Sequence, residues 1–209
     1  DPACQPVRWA VAIAAFQEHD LQLPPTPGGA LFVGSSSIRR WELPASFPSV
    51  QVVNRGFGGS QICDSLHYFD ALVAPHKPST VVLYAGDNDI GSGKSPRQVH
   101  RDFRDFAARL RKRAPDARLV FIAIKPSLQR WRLAAEIQAA NRLIEAECRR
   151  DKLLEFVDVW PAMLGNDGQP QPDLFVDDGL HLNATGYRLW AKMVQPLLAR
   201  GNLSRDGDE

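Results

Sequence analysis

Ala30-Leu31-Phe32-Val33-Gly34-Ser35-Ser36-Ser37 is a short apolar run that stops abruptly at a glycine and three serines. The run is rich in aromatic and branched residues and bounded by turn formers, which marks a strand. Its apolarity is continuous rather than alternating. A strand of that kind is covered on both faces, as in a parallel sheet. Four further runs share the pattern, at residues 50–53, 80–85, 118–124 and 154–159. Helical periodicity fills the intervals. It is visible over 7–21 and over 61–73, where Ile62, Leu66, Phe69 and Val73 form one stripe. Over 96–113 the stripe is Val99, Phe103, Phe106 and Leu110, with Ser95 as the expected N-cap and Pro96 at the first helical position. Residues 131–150 are rich in good helix formers, and 184–198 closes the pattern. Strands alternating with helices make βαβ units, whose right-handed crossovers put helices on both faces of one sheet. The expectation is an α/β fold in a single domain over 1–209. Residues 1–29 supply an N-terminal helix and a Pro- and Gly-rich linker, and residues 201–209 a frayed polar tail.

Composition narrows the function classes. The chain has 209 residues, 44% of them hydrophobic and 23% charged, which suits a globular domain. A net charge of +1 argues against a nucleic-acid partner, which calls for a basic excess. No apolar run approaches the roughly 20 residues of a membrane-spanning helix. The three cysteines, Cys4, Cys63 and Cys148, share no CxxC spacing, so no zinc site is expected. An odd count leaves at least one thiol free, and Cys63 and Cys148 read as small buried hydrophobes on helices. The chain opens on Asp1 rather than methionine. A removed leader would explain that, so an exported protein is expected over a cytoplasmic one.

The chemistry-bearing residues follow the strands. In open parallel sheets, ligands bind at the carboxyl ends of the strands. Ser36 lies just past the first run, Gly59 past the second, Asn88 past the third, and Asp178-Gly179-Leu180-His181 in a loop after the fifth. A serine hydroxyl needs a base to become a nucleophile. His181 can be that base, and Asp178, three residues before it, can fix its tautomer. The backbone N–H groups of Ser36 and Gly59 and the side-chain amide of Asn88 can hold a developing oxyanion. Taken singly, each motif also reads as an ordinary cap, turn or loop. Their succession, each after a strand, favours a serine hydrolase.

Four blocks then resemble the SGNH hydrolases, also called the GDSL family. They are Phe32-Val33-Gly34-Ser35-Ser36-Ser37-Ile38, Asn54-Arg55-Gly56-Phe57-Gly58-Gly59, Gly86-Asp87-Asn88-Asp89 and Asp178-Gly179-Leu180-His181-Leu182-Asn183. The resemblance runs from about Leu31 to Leu198. It implies a three-layer α/β/α sandwich, flavodoxin-like, with a five-stranded parallel sheet in the order 2-1-3-4-5. It also implies ester hydrolysis without metal or organic cofactor. The family's usual Gly-Asp-Ser is altered, since Ser35 stands where the aspartate belongs. Counting from Gly34 selects Ser36 as the nucleophile, with Ser37 the fallback. Trp41, five positions after Ser36, fits the family's frequent tryptophan. Bracing normally given by the missing carboxylate falls to Asp87 or Asp89.

The expected function is a serine esterase for short, acetyl-type acyl groups, because the Gly59 and Asn88 blocks resemble those of platelet-activating-factor acetylhydrolase subunits. A lysophospholipase or thioesterase for longer chains, and a carbohydrate acetyl esterase, are the enzymatic alternatives. Trp131 and Phe175, with Leu128, are candidates to line the substrate site. Asp87, Asp89, Asp177, Asp178 and His181 lack a full cation-loop spacing, so no metal is expected. A flavodoxin-like ligand-binding module is the non-enzymatic alternative. It is disfavoured because the first strand is followed by neither Gly-x-Gly-x-x-Gly nor Gly-Lys-Ser/Thr.

Overall fold

The computed structural model describes residues 4–199. Five strands form one all-parallel sheet: β1 (Ala30–Gly34), β2 (Val52–Gly56), β3 (Thr80–Tyr84), β4 (Arg118–Ile122) and β5 (Leu154–Val157), in the order β2-β1-β3-β4-β5. Helices α1 (Ala10–Gln22), α2 (Ser36–Arg39), α3 (Leu43–Ser46), α4 (Ile62–His67), α5 (Phe69–Leu72), α6 (Asp87–Gly91), α7 (Pro96–Arg113), α8 (Ala134–Cys148) and α9 (Ala184–Ala199) connect and cover it. This is the expected three-layer sandwich with the expected strand order. The expected tail at residues 201–209 lies outside the described residues.

The two faces of the sheet divide the core by strict alternation. Leu31, Val33, Val81, Leu83, Leu119 and Phe121 point into one cluster, with Ile62, Phe69, Phe103, Phe106 and Ile144 from the helices above. Phe32, Val82, Tyr84, Val120 and Ile122 point into the other, with Trp41, Phe47 and Trp190. Each such side chain contributes roughly 1.5–3 kcal/mol by leaving water. All four stripe residues of α7 are buried, and Ser95 caps it by accepting from Gln98 N at 3.3 Å.

Several boundaries depart from the sequence reading. β2 begins at Val52 rather than residue 50, because Val50 N bonds Phe47 O in a turn and Ala30 N bonds Gln51 O. It then runs on through polar Asn54 and Arg55, which an edge strand tolerates. Arg55 pairs with Asp20 of α1. β4 stops at Ile122 because the backbone of Ile124 pairs with the Asn141 side chain instead, both bonds at 2.9 Å. The helix expected over 61–73 breaks at Tyr68 into α4 and α5. The helix expected over 131–150 starts with a 3-10 turn, Trp131–Leu133.

Cys63 is not a free buried thiol. It is bonded to Cys4, with the Cα atoms 6.0 Å apart. The bridge depends on the N-terminal segment crossing to α4, a contact that no local spacing encodes. Cys148 is free and buried, and burial pushes its thiol up to about 12.

Candidate active site

The carboxyl ends of β1, β2 and β3 are tied together by short polar contacts. Gly34 ends β1 at φ +142, and a Cβ there would stand 1.9 Å from Tyr84 O. Only a glycine lets the chain turn this tightly against β3, which brings Ser35 N to Tyr84 O at 3.0 Å. Phe57 N donates to Gly34 O at 2.9 Å and Ser60 Oγ to the same oxygen at 3.2 Å. Asn88 Nδ2 donates to Ser60 O at 3.0 Å. These bonds gather the blocks carrying Ser36, Gly59 and Asn88 around one point.

The geometry separates the three serines. Ser35 is buried, and its hydroxyl has no partner among the described residues. Ser37 is buried with its Oγ 3.4 Å from Lys125 Nζ. Ser36, the first residue of α2, is partly open to solvent. Its Oγ lies 2.9 Å from His181 Nε2, across 145 residues of sequence. His181 Nδ1 lies 2.5 Å from Asp178 Oδ2. Asp178 Oδ1 also accepts the backbone N–H groups of Leu180 and His181, each at 2.8 Å. Gly179 takes the left-handed conformation (φ +61) that this turn requires. Partial burial raises the Asp178 carboxyl, but the His181 ring and the two N–H groups outweigh it and hold it at about 2. With a carboxylate on Nδ1, the hydrogen-bond network assigns the ring proton there and leaves the Nε2 lone pair facing Ser36.

The N–H groups of Ser36 and Gly59 make no hydrogen bond among the described residues. Asn88 Nδ2 spends one hydrogen on Ser60 O and keeps a second. Its Oδ1 accepts from Arg130 Nη2 at 2.9 Å. Arg130 is also ion-paired with Asp87 at 3.2 Å, and Asp87 in turn with Lys125 at 3.2 Å. Lys125 is buried and also reaches Tyr84 Oη at 3.0 Å. Burial would raise the Asp87 carboxyl, but Lys125 and Arg130 overcome it and hold it below the usual range. Burial pushes Lys125 down. The sequence reading missed Arg130 and Lys125, since neither sits in a recognisable motif.

Other expected residues fall elsewhere. Asp87 reaches the serine block through Lys125, whereas Asp89 faces Lys94 at 3.3 Å and the Ile62 N–H. Phe175 packs in the buried cluster with Trp190 and Leu182 and offers little surface to a substrate. Trp131 is partly buried and stacks on Trp160, ring centroids 6.0 Å apart, so one of its faces is covered. Leu128 is exposed and lies against Gly179. Asn183, the last residue of the fourth block, spends its side chain capping α9 and bonding Asp173 O and Phe175 O. Among the described residues no group of three or more His, Cys, Asp or Glu is arranged to hold a metal, and no helix is long and apolar enough to cross a membrane.

Residues 32–189 match the family model described as the GDSL-like Lipase/Acylhydrolase family. Solved structures of similar fold include one from Streptococcus pneumonia provisionally described as a platelet activating factor. It is 23% identical with a TM-score of 0.81, and covers 92% of this chain and 94% of its own. A GDSL-like lipase from Bacteroides thetaiotaomicron is 20% identical with a TM-score of 0.74, covering 94% and 98%. A carbohydrate esterase family 3 structure from Talaromyces cellulolyticus is 20% identical with a TM-score of 0.68, covering 83% and 97%. At these identities the likeness shows the fold. Among curated proteins none matches the chain in sequence.

Proposed function

Because the chain belongs to the GDSL-like lipase/acylhydrolase family and is a carboxylic ester hydrolase, we propose that it cleaves short-acyl esters through an acyl-enzyme on Ser36. His181 Nε2 takes the hydroxyl proton as Ser36 Oγ attacks the ester carbonyl carbon. The carbonyl π pair moves onto oxygen, where the N–H groups of Ser36 and Gly59 and the second amide hydrogen of Asn88 receive it. Such donors act on charge that exists only in the transition state, and losing one costs on the order of 100–1000-fold in turnover. The intermediate collapses, His181 protonates the departing alcohol, and water repeats the sequence to release the acid. Asp178 stays ionised throughout and steadies the imidazolium.

The observation that carries this reading is the 2.9 Å contact between Ser36 Oγ and His181 Nε2, with Asp178 on the far side of the ring. Ser36→Ala should lower hydrolysis of p-nitrophenyl acetate by on the order of 10⁴–10⁶-fold, with an unchanged circular dichroism spectrum. Ser37→Ala should stay active and still label with a fluorophosphonate. An active Ser36→Ala protein, or a wild type that does not label, rejects the assignment. A longer-chain reading has one observation in its favour, the exposed Leu128 beside Gly179. The acyl-length profile decides between the two.

A further inference from the structure

Trp9 lies outside the stretch that matches the family, yet it stands at Gly59. Its ring atom Cη2 is 3.2 Å from the point a Gly59 Cβ would occupy, and Cζ2 is 3.8 Å from it. The indole packs edge-on against Phe57 with centroids 5.7 Å apart, and the Arg8 guanidinium covers the ring at 4.9 Å. The segment holding it packs on the core through Ile13, which is fully buried, and through Ala12 and Phe16, which are partly buried, while Val7 and Val11 are exposed. It is also fastened at points. Cys4 is bonded to Cys63 of α4, Tyr68 Oη donates to Pro6 O at 2.8 Å, and Asp20 pairs with Arg55. Two of these fasteners, at Cys4 and Pro6, hold the start of Trp9's own 3-10 turn, Pro6–Trp9.

We propose that Trp9 is a specificity-determining residue. Its indole walls the acyl side of the site at Gly59, and the Cys4–Cys63 bridge keeps it there. The inference rests on the reading of Ser36 and Gly59 given above. The carbon whose oxygen the Gly59 N–H would bind carries both the acyl chain and the alcohol. The alcohol side is the one His181 must reach to protonate it, which leaves the acyl chain to the side away from that ring. A ring against the Gly59 Cα therefore stands within a few atoms of that chain. A wall of this kind admits acetyl and excludes longer chains, because a rigid, stapled aromatic cannot give way as a free side chain would. Each methylene a pocket accepts or refuses changes kcat/KM by roughly 10–200-fold, so the effect is large enough to read directly.

The test is kcat/KM for p-nitrophenyl acetate, butyrate and hexanoate in wild type, Trp9→Ala, Trp9→Phe and the Cys4→Ser/Cys63→Ser double variant. Wild type should favour acetate. Trp9→Ala should raise the hexanoate-to-acetate ratio by about 10-fold or more, with Trp9→Phe between. The double variant should shift the ratio in the same direction. A purely structural role for Trp9 would lower all three esters by one common factor, and that result overturns the proposal. An unchanged ratio, or a wild type that prefers hexanoate, overturns it too. If Trp9→Ala does not fold, the Trp9→Phe and double-variant ratios decide alone. A wild type that hydrolyses none of the esters removes the Ser36 reading, and this inference falls with it. An active wild type with unmoved variants rejects the Trp9 role alone.

Discussion

Arg130 touches two groups at once, Asn88 Oδ1 and the Asp87 carboxylate. The first contact fixes which way the Asn88 amide points, and so whether its free hydrogen faces the oxyanion of the proposed mechanism. Arg130→Met removes that restraint and leaves a carbonyl oxygen unpaired. Turnover of p-nitrophenyl acetate should fall by roughly 10–100-fold, less than the loss of a whole donor, with little change in KM. Arg130→Lys should recover part of it. If turnover is unmoved while only the melting temperature drops, Arg130 is structural and not a positioning residue. Sequence alone could single out Ser36, Gly59, Asn88, Asp178 and His181, because each sits in a short block with its own local logic. It could not single out Arg130 or Lys125. Their partners lie 42 and 88 residues away in the chain, and only the folded sheet brings them into reach.

α6 and α4 meet at Asp89. Its carboxyl receives the Ile62 N–H at the start of α4 and faces Lys94 at 3.3 Å. Burial pushes Asp89 up to about 7, more than Lys94 pulls it down. The folded protein therefore keeps a proton that the unfolded chain has already released. The stability tied to that proton is complete below the unfolded value of 3.8 and is lost as pH rises through about 7. Between about pH 5 and about pH 8 the wild-type melting temperature should fall relative to Asp89→Asn, which carries no titrating group there. Parallel thermal melts of the two proteins check it, and identical pH profiles would refute it. At this scale the strands were readable because burial on both faces leaves continuous apolar runs. The ends of β2 and β4 were not, since they are set by what the next strand or the Asn141 side chain offers the backbone. The break at Tyr68 was equally hidden, because the stripe of apolar residues continues through it.

Across the molecule, one covalent bond joins the segment ahead of the sheet to the helix that follows β2. It closes 59 residues of chain. A loop of that length should stabilise the fold by about 2–4 kcal/mol, mainly by restricting the unfolded chain. That is a sizeable part of the roughly 5–15 kcal/mol of a whole domain. Urea denaturation of wild type and the Cys4→Ser/Cys63→Ser variant should show a midpoint lowered accordingly, and coincident curves would exclude this contribution. Layer architecture could be anticipated from the alternation of elements and the strand order from resemblance to a family. The pairing could not, because three cysteines allow three bridges and nothing in their spacing chooses one. Such a bond also carries a record of where the polypeptide matured. A batch folded in an oxidising compartment and a batch from a reducing cytosol share every residue, yet they would differ in hardiness and, through the role proposed for Trp9, in the esters they accept.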